Sequence, residues 1–363
     1  MTKRIDVLKT YKIFIDGKFP RTESGRYYTL KNNGKVLANI CLSSRKDIRN
    51  AVVASRKAFA GWSNKSAYNR SQIIYRIAEM VEARKGQFID EICSMGKTKR
   101  SAENEVDLAL ERIVYYAGWC DKINQVFGSV NPVASSHFNF SLLEPVGVVG
   151  VIAPNDFSLL GMVSSILPPL AGGNTIVALA SKQFPLSSIT LAEVLAISDV
   201  PAGVVNILTG ESSELISHIS AHMDINAIYY CNTDPEEMKQ IQLASVDNLK
   251  RVIFSENQNW NNSSNETPYL ISSFMETKTT WHPIENISVV FFTQVLGMRP
   301  LNQLRAKLGS MVYASITDRR LGAAVAPATS HVLQLGLEKI MNSSGGGGGS
   351  SSSSSNNSNN AKL

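Results

Sequence analysis

The sequence predicts an α/β fold in which an open, mainly parallel sheet is flanked by helices. A β-branched apolar run at residues 146–152 predicts a buried strand, and Pro154, Asn155 and Asp156 interrupt it. Apolar residues at helical spacing follow at 159–170, and a second short apolar strand follows at 175–179. Together these segments form a strand–helix–strand unit, which joins parallel strands by a right-handed crossover.

The strand–helix–strand unit also predicts where a ligand binds. In parallel α/β sheets, ligands lie where the carboxyl end of a strand meets the N-terminus of the next helix. In this sequence that place is residues 153–158.

The N-terminal part predicts one hairpin and then several amphipathic helices. Residues 11–18 alternate in polarity and turn at Asp16-Gly17. Apolar residues at helical spacing then predict helices at 43–59, 69–86, 88–95 and 102–127.

Strands and helices alternate through the rest of this region, as a parallel sheet requires. Residues 137–143 predict an exposed edge strand, whose apolar side chains are Phe138, Phe140 and Leu142 and which invites pairing with another chain. The remaining predicted strands are 204–208, 227–230 and 252–254, and the helices are 185–197, 212–222 and 235–244.

The composition changes after Phe254. The polar, Asn-rich residues 255–268 predict a linker. We expect a strand within 269–290 and a helical extension at 291–342. Residues 343–363 are rich in Gly, Ser and Asn, which predicts a disordered tail.

Composition narrows the function classes. The chain has 363 residues, 44% of them hydrophobic, with a formal net charge of +6 and a pI near 9.0. The basic residues are scattered beside acids, so we expect no nucleic-acid partner. No apolar run predicts a membrane span or a secretory signal, so we expect no membrane partner. The four cysteines have no metal-ligand spacing, which predicts free thiols and no metal site: Cys41, Cys93, Cys120 and Cys231.

Four motifs in register resemble the aldehyde dehydrogenase family. They are EPVGVVG at 144–150, APNDFSL at 153–159, LAGGNT at 170–175 and VPAGVVNI at 200–207. The resemblance implies a Rossmann-like cofactor domain at 1–254 with a β-hairpin arm at 133–144. The strand expected at 269–290 would be the other part of that oligomerisation element, with residues 274–281 pairing with residues 137–143. The resemblance therefore implies a homo-oligomer, or a hetero-oligomer with a full-length relative.

The chemical positions of the family are not matched. The resemblance places Asp156 at the oxyanion position, where a carboxylate repels a developing negative charge. Ser255 falls at the position of the general base, with Glu256 one residue further on. The sequence has no Gly-Gln-x-Cys segment for the nucleophile, and Cys231 is the only nearby thiol. The resemblance thus predicts no catalytic residues.

For the cofactor, the resemblance predicts NAD or NADP binding that is weak or absent. Leu179 replaces the family's ribose-binding Lys, and Asp234, Glu236 and Glu237 place acids near the pyrophosphate. Lys182 would either lie near the ribose and favour a 2′-phosphate, or be an ordinary surface lysine. Thr233 would either hold a phosphate or cap the helix that follows it. The predicted cofactor-binding residues are Ile152, Ala153, Pro154, Asn155, Lys182, Gly210 and Thr233.

Three functions remain open at this point. The first is a catalytically inactive homologue that acts through oligomerisation. The second is an NAD(P)-dependent oxidoreductase acting on aldehydes and completed by a partner subunit. The third is a binding module for an adenine nucleotide.

The sequence ends in Ala361, Lys362 and Leu363, which resembles the SKL-type peroxisomal address. A Gly/Ser/Asn stretch before it would act as a flexible stalk. We therefore expect a cytoplasmic or peroxisomal protein. The alternative is that the last three residues match the peroxisomal signal by chance.

Overall fold

The computed structural model describes residues 7–255, 259–262 and 265–284. All of them belong to one of the two units into which the chain divides, Met1–Ile287. The predictions for residues 291–342 and 343–363, for Glu256 and for the C-terminal tripeptide lie outside the described residues.

A small sheet opens the chain. The strands β1 (Thr10–Tyr11), β2 (Tyr27–Asn32) and β3 (Lys35–Cys41) lie in the order β1-β3-β2. The hairpin predicted at 11–18 turns at Asp16 and Gly17, which have φ of 53° and 71°, and Ile15 pairs with Lys18. The β2–β3 hairpin was not predicted from the sequence.

Helices follow at nearly the predicted positions. They are α1 (Arg45–Ser63), α2 (Ala67–Ala83), α3 (Lys85–Ser94), α4 (Lys99–Trp119) and α5 (Ile123–Phe127). The single helix predicted over 102–127 is divided between α4 and α5. Local caps fix the starts of α2 and α4, since the N–H of Asn69 donates to Ser66 and that of Ser101 donates to Thr98.

The rest of the described chain alternates strands and helices. The elements are β4 (Ser129–Asn131), β5 (His137–Pro145), β6 (Val148–Ile152), α6 (Leu159–Ala171), β7 (Thr175–Leu179), α7 (Leu186–Ala196), β8 (Val205–Leu208), α8 (Ser212–Ser220), β9 (Ala227–Tyr230), α9 (Pro235–Ser245), β10 (Arg251–Phe254), α10 (Pro268–Ser273) and β11 (Met275–Pro283). A 3₁₀ turn at Val246–Asn248 precedes β10.

The central sheet confirms the predicted fold class. Its five strands are all parallel, in the order β10-β9-β6-β7-β8. Every residue of β6, β7, β8 and β9 is buried, because helices cover both faces. The order reverses after β6, since β7 lies on one side of it and β9 on the other. Such a reversal places a ligand crevice at the carboxyl ends of these strands.

The second sheet has the order β11-β5-β4 and carries the predicted arm. The predicted pairing is present, with Thr277 opposite Leu143 and Trp281 opposite Asn139 in antiparallel register. The expectation that residues 137–143 form an edge strand is wrong, because β4 and β11 flank β5 on both sides. The long edge is instead β11, which has no further strand beside it among the described residues.

The segment after Phe254 is more ordered than the predicted linker. Trp260 is buried, and its carbonyl accepts a hydrogen bond from the buried guanidinium of Arg112 at 3.2 Å. The strand expected within 269–290 spans Met275–Pro283, and the residues just before it, Pro268–Ser273, form α10 with Thr267 as its N-cap. Trp260 and Arg112 therefore fasten this segment to the core. Within the described residues, no helix combines the length and apolar character needed to cross a membrane.

Candidate functional site

A cleft of about 240 Å³ opens at the carboxyl edge of the central sheet. It lies between the ends of β6, β7 and β8, where the strand order predicts a ligand crevice. Its lining includes five of the seven residues predicted to bind a cofactor: Ile152, Ala153, Asn155, Lys182 and Gly210. Pro154 and Thr233 do not line it. A larger, more open groove of about 830 Å³ lies between α2 and α4, and none of the predicted residues line it.

Side chains hold the loop after β6 in place. The amide of Asn232 bridges this loop, accepting from the N–H of Asn155 at 2.9 Å and donating to the carbonyl of Ala153 at 3.1 Å. The hydroxyl of Ser181 donates to the carbonyl of Asn155 at 2.9 Å. Because these backbone groups already have partners inside the protein, the loop offers them less readily to a ligand.

The same loop is tied to α4 by a buried carboxylate. Glu105 accepts N–H groups from Ser158 and Leu159 at 2.9 Å each, and from Leu160 at 3.3 Å. These donors belong to the first turn of α6, which has no local side-chain cap. Burial raises the pKa of Glu105, and the three backbone hydrogen bonds oppose that rise.

A paired cation and anion form one rim of the cleft. The ammonium group of Lys182 forms an ion pair with the carboxylate of Glu211, and both residues line the cleft. The hydroxyl of Tyr28 donates to the carbonyl of Lys182 at 3.1 Å. Burial, and then the charge of Glu211, raise the pKa of Tyr28, so this phenol stays protonated.

The N-terminus of α9 is capped by the protein itself. Asp234 accepts N–H groups from Glu236 at 2.9 Å and from Glu237 at 3.2 Å. Thr233 is exposed, and Asp234 is the N-cap, so the proposal that Thr233 caps this helix is wrong. Glu237 reaches back toward the cleft, accepting from the hydroxyls of Ser212 at 2.7 Å and Tyr230 at 2.6 Å.

The three residues weighed for catalysis, Asp156, Cys231 and Ser255, differ in exposure. Asp156 is exposed in the loop after β6. Cys231 and Ser255 follow the adjacent strands β9 and β10 and are buried, at 5% and 3% exposure. Burial raises the pKa of the Cys231 thiol far above its ordinary value. At this site the carboxylate of Asp156 is therefore exposed to solvent, whereas the protonated thiol of Cys231 and the hydroxyl of Ser255 are buried. No group of three or more potential metal ligands occurs in the described part of the chain.

Glu105 and Asn232 were missed in the sequence as contributors to this site, and Glu237 was named only as an acid near the pyrophosphate, without its contacts to Ser212 and Tyr230. Glu105 lies 53 residues before its first partner, and no local pattern indicates such a contact. Asn232 lies in the loop before Thr233, and Glu237 lies on the predicted helix that follows. Their contacts depend on the directions of their side chains, which the sequence does not reveal. The Asp-Pro pair at 234–235 was the available signal for the cap, since Asp is favoured at N-cap and Pro at the first helical position.

Comparison with known proteins identifies relatives of the described region. The model of the aldehyde dehydrogenase family matches residues 23–255. The DhaS protein of Bacillus subtilis (strain 168) is 35% identical over 260 residues, which are 69% of this chain and 52% of that protein. An aldehyde dehydrogenase of Aspergillus niger is 34% identical over 245 residues, which are 66% of this chain and 48% of that protein.

Solved structures agree with this comparison. The NAD⁺ complex of an aldehyde dehydrogenase from Bacillus cereus superposes with a TM-score of 0.64 at 30% identity. The match covers 68% of this chain and 50% of that one. The chain thus spans about half the length of the relatives that it matches.

Proposed function

Since the chain belongs to the aldehyde dehydrogenase family, we propose that it is a catalytically inactive member that acts by associating with another chain. The observation that carries this proposal is the chemistry of the site positions. Ser255 and Asp156 stand where the family would need a base and an oxyanion donor. The segment that would carry its nucleophilic cysteine is not present in the sequence, and Cys231 is the only thiol nearby.

Each of these residues fails for a separate physical reason. The thiolate is the nucleophilic form of cysteine, and the burial that raises the pKa of Cys231 keeps it a thiol. Ser255 has a hydroxyl, which does not take up a proton near neutral pH as a carboxylate base would. Asp156 has no proton to donate to an oxyanion and repels it. Because the three failures are independent, repairing one of them restores no activity.

The family and the neighbour solved with NAD⁺ support NAD(P) binding at the carboxyl edge of the sheet. The residues here fit such a cofactor only in part. The cleft beside Lys182 and Gly210 has room for one end of it. At the N-terminus of α9, the carboxylate of Asp234 already occupies the N–H groups that would receive a phosphate. We therefore propose that dinucleotide binding is weak, and no reaction step is assigned to the cofactor.

The surface of the sheet formed by β4, β5 and β11 supports association with a second protein chain. Among the residues that the structure describes, edge strand β11 has unpaired backbone groups, to which a strand of a second chain can add. Beside it, β5 exposes Phe138 at 44% and Leu142 at 43% on one face. Phe140 shares this face, with its ring stacked on that of His282 at 6.4 Å between centroids. An open edge beside exposed aromatic side chains favours a protein partner, a second copy or a full-length relative.

A partner subunit that completes an active NAD(P)-dependent site is the competing function. Such a partner would supply the nucleophile, but Asp156 and Ser255 would remain in this chain's own site. The site residues of this chain therefore favour the catalytically inactive homologue over an enzyme completed by a partner.

The test is steady-state turnover of the purified protein with a broad aldehyde panel, using NAD and NADP separately. A full-length family member assayed in parallel shows that the assay works. We expect no turnover from the wild type or from Asp156→Asn. Turnover that disappears in Cys231→Ala would overturn the proposal.

A further inference from the structure

We infer that the outward side of α1 is a docking surface for an acidic peptide segment of another protein. This surface, here called the α1 face, consists of Arg45, Arg49, Val53, Arg56 and Lys57. None of these residues lines the cleft at the carboxyl edge of the central sheet, and none belongs to the sheet of β4, β5 and β11. The inference therefore goes beyond the association proposed above and concerns a different surface.

The helical repeat brings the residues of the α1 face together. Arg45, Arg49, Val53 and Arg56 are separated by four, four and three residues, which places them on one side of the helix. Lys57 lies one turn after Val53. The opposite side of α1 is buried against the central sheet. The α1 face is therefore the side of the helix that is turned toward solvent.

The α1 face carries unbalanced positive charge. α1 contains five basic residues and one acid, the buried Asp47. Lys46 is paired with Glu23. Three exposed cations form no ion pair within the part of the chain that the structure describes: Arg45, Arg49 and Lys57. A solvent-facing group of cations without acids attracts a partner of negative charge.

Arg56 and Lys250 are fixed in place but not neutralised. The guanidinium of Arg56 donates to the amide oxygen of Asn226 at 2.7 Å and to the backbone carbonyl of Asp224. Lys250, just before β10, is 8% exposed, and its ammonium donates to the amide oxygen of Asn248 at 2.6 Å. These acceptors carry no charge, so both cations keep their full positive charge in a defined position.

The imidazole of His222, in the loop after α8, is affected by this excess charge. Burial is the largest cause that lowers the pKa of His222, and the charge of Asp224 opposes it. Three cations lower this pKa further: Lys250, Arg49 and Arg56. The C-terminal half of the α1 face and Lys250 therefore lie close enough to act on one side chain.

Helix stability does not account for the positions of these cations. A cation near the N-terminus of a helix opposes the helix dipole, whereas a cation in the last turn is favourable. Arg45 is the first residue of α1 and Lys46 the second, but the last turn of α1 contains no basic residue. The cations are thus placed where they suit an acidic partner better than they suit the helix.

The apolar residues of this surface favour a peptide over a nucleic acid. Val53 and Met223, which precedes Asp224 in the loop after α8, are both exposed. A peptide with acidic and apolar residues contacts both the cations and these side chains. Single-stranded nucleic acid instead uses its phosphates and stacks its bases on aromatic rings, and the α1 face has no aromatic residue.

The C-terminal part of this chain does not have the chemistry of the occupant. Residues 285–363 contain seven basic residues and three acids, so their net charge has the same sign as the α1 face. Like charges repel, and the occupant is therefore a segment of a different protein.

The test is fluorescence anisotropy with the full chain and a labelled peptide in which Glu-Glu pairs alternate with Leu. We expect binding that weakens as salt rises, because exposed charges are screened. The same peptide with Lys in place of Glu should not bind. A single-stranded oligonucleotide of the same charge should bind more weakly than the acidic peptide.

Charge-neutral variants locate the binding surface. One variant removes three exposed cations together, with glutamine chosen because it is a good helix former: Arg45→Gln, Arg49→Gln and Lys57→Gln. We expect it to bind the acidic peptide about tenfold more weakly at low salt. The matched control makes the same change at exposed lysines elsewhere and should retain most of the affinity: Lys31→Gln, Lys35→Gln and Lys239→Gln.

NMR titration of the histidines gives a second, independent measurement. Carboxylates bound at the α1 face would offset the cations around His222, so the peptide should raise the pKa of this imidazole. The variant His222→Gln assigns its signal. The signal of His137, on β5, should not respond to the peptide.

Four outcomes would overturn the inference: no binding of the acidic peptide, equal losses in the α1 variant and its control, tighter binding of the oligonucleotide, or peptide binding that leaves the pKa of His222 unchanged. None of these measurements involves aldehyde turnover or the sheet of β4, β5 and β11. The failure of this inference is therefore distinguishable from that of the proposed function.

Discussion

Glu105 of α4 accepts the backbone N–H of Leu159, the first residue of α6, at 2.9 Å. The same oxygen accepts from Ser158 and Leu160, so one buried carboxylate caps a helix that has no local cap. Glu105→Ala leaves these N–H groups without a partner, and we expect it to lower the free energy of unfolding by about 3 kcal/mol. Glu105→Gln keeps an acceptor and should cost less.

Urea denaturation measures both variants. The control is Glu103→Ala on the same helix, whose side chain is half exposed, and it should change stability by less than about 0.5 kcal/mol. Equal effects of Glu105→Ala and Glu103→Ala would show that the cap contributes nothing.

Glu105 should also make stability depend on pH. Its pKa in the folded protein is raised, chiefly by burial, above that of the unfolded chain. Its contribution is therefore fully present below about pH 4.3, the ordinary glutamate value, and is lost as pH rises through the folded pKa. The stability of the wild type relative to Glu105→Gln should fall as the pH rises from about 4.3 through the folded pKa of Glu105. If the denaturation midpoints of the wild type and of Glu105→Gln change with pH by the same amount, this prediction is contradicted.

A second prediction concerns the segment after Phe254. The guanidinium of Arg112 is 1% exposed and lies 3.6 Å from the carboxylate of Glu266. Glu266→Gln leaves a buried positive charge without its partner, which should cost about 2 kcal/mol and make the segment around Trp260 accessible to protease. The matched control is Glu79→Gln, which breaks the exposed pair with Arg76 and should cost less than about 1 kcal/mol. Similar losses in both variants would show that Arg112 does not depend on Glu266.

The parallel sheet was predictable because its strands are buried on both faces and read as continuous apolar runs. The β2–β3 hairpin was missed because β2 is mixed in polarity and only partly buried, although β3 is mostly apolar. Asn33-Gly34 is a strong turn signal and adopts φ of 49° and 77°. The linker prediction failed for another reason. Its polar composition is real, but Trp260 is fixed by Arg112, 148 residues earlier, and no local pattern records that contact.

For the candidate site, the sequence predicted which residues lie together but not the contacts that their side chains make. Ile152, Ala153, Asn155, Lys182 and Gly210 line one cleft because the motifs place them at neighbouring strand ends. The roles of Asn232 and Asp234 depend on the directions of their side chains. Those directions are set by tertiary packing, which the sequence alone does not reveal.

A third prediction tests association through the sheet of β4, β5 and β11. We expect the wild type to associate at micromolar concentration, as measured by sedimentation velocity. Phe138→Lys with Leu142→Lys places two charges on the exposed face and should yield monomers. Leu243→Lys with Met223→Lys makes the same change at exposed apolar residues away from this sheet and should leave association intact. A monomeric wild type, alone and with a full-length relative, would remove this part of the proposal.

The central claim is that no cysteine of this chain attacks an aldehyde, and intact-mass spectrometry tests it most directly. The protein is incubated with aldehyde, with and without NAD or NADP, and any acyl adduct is mapped to its residue. Because Cys231 is buried and its pKa is raised, we predict no acyl adduct on Cys231 or on any other cysteine in any sample. A cofactor-dependent acyl adduct on Cys231, absent from Cys231→Ala, would contradict the account.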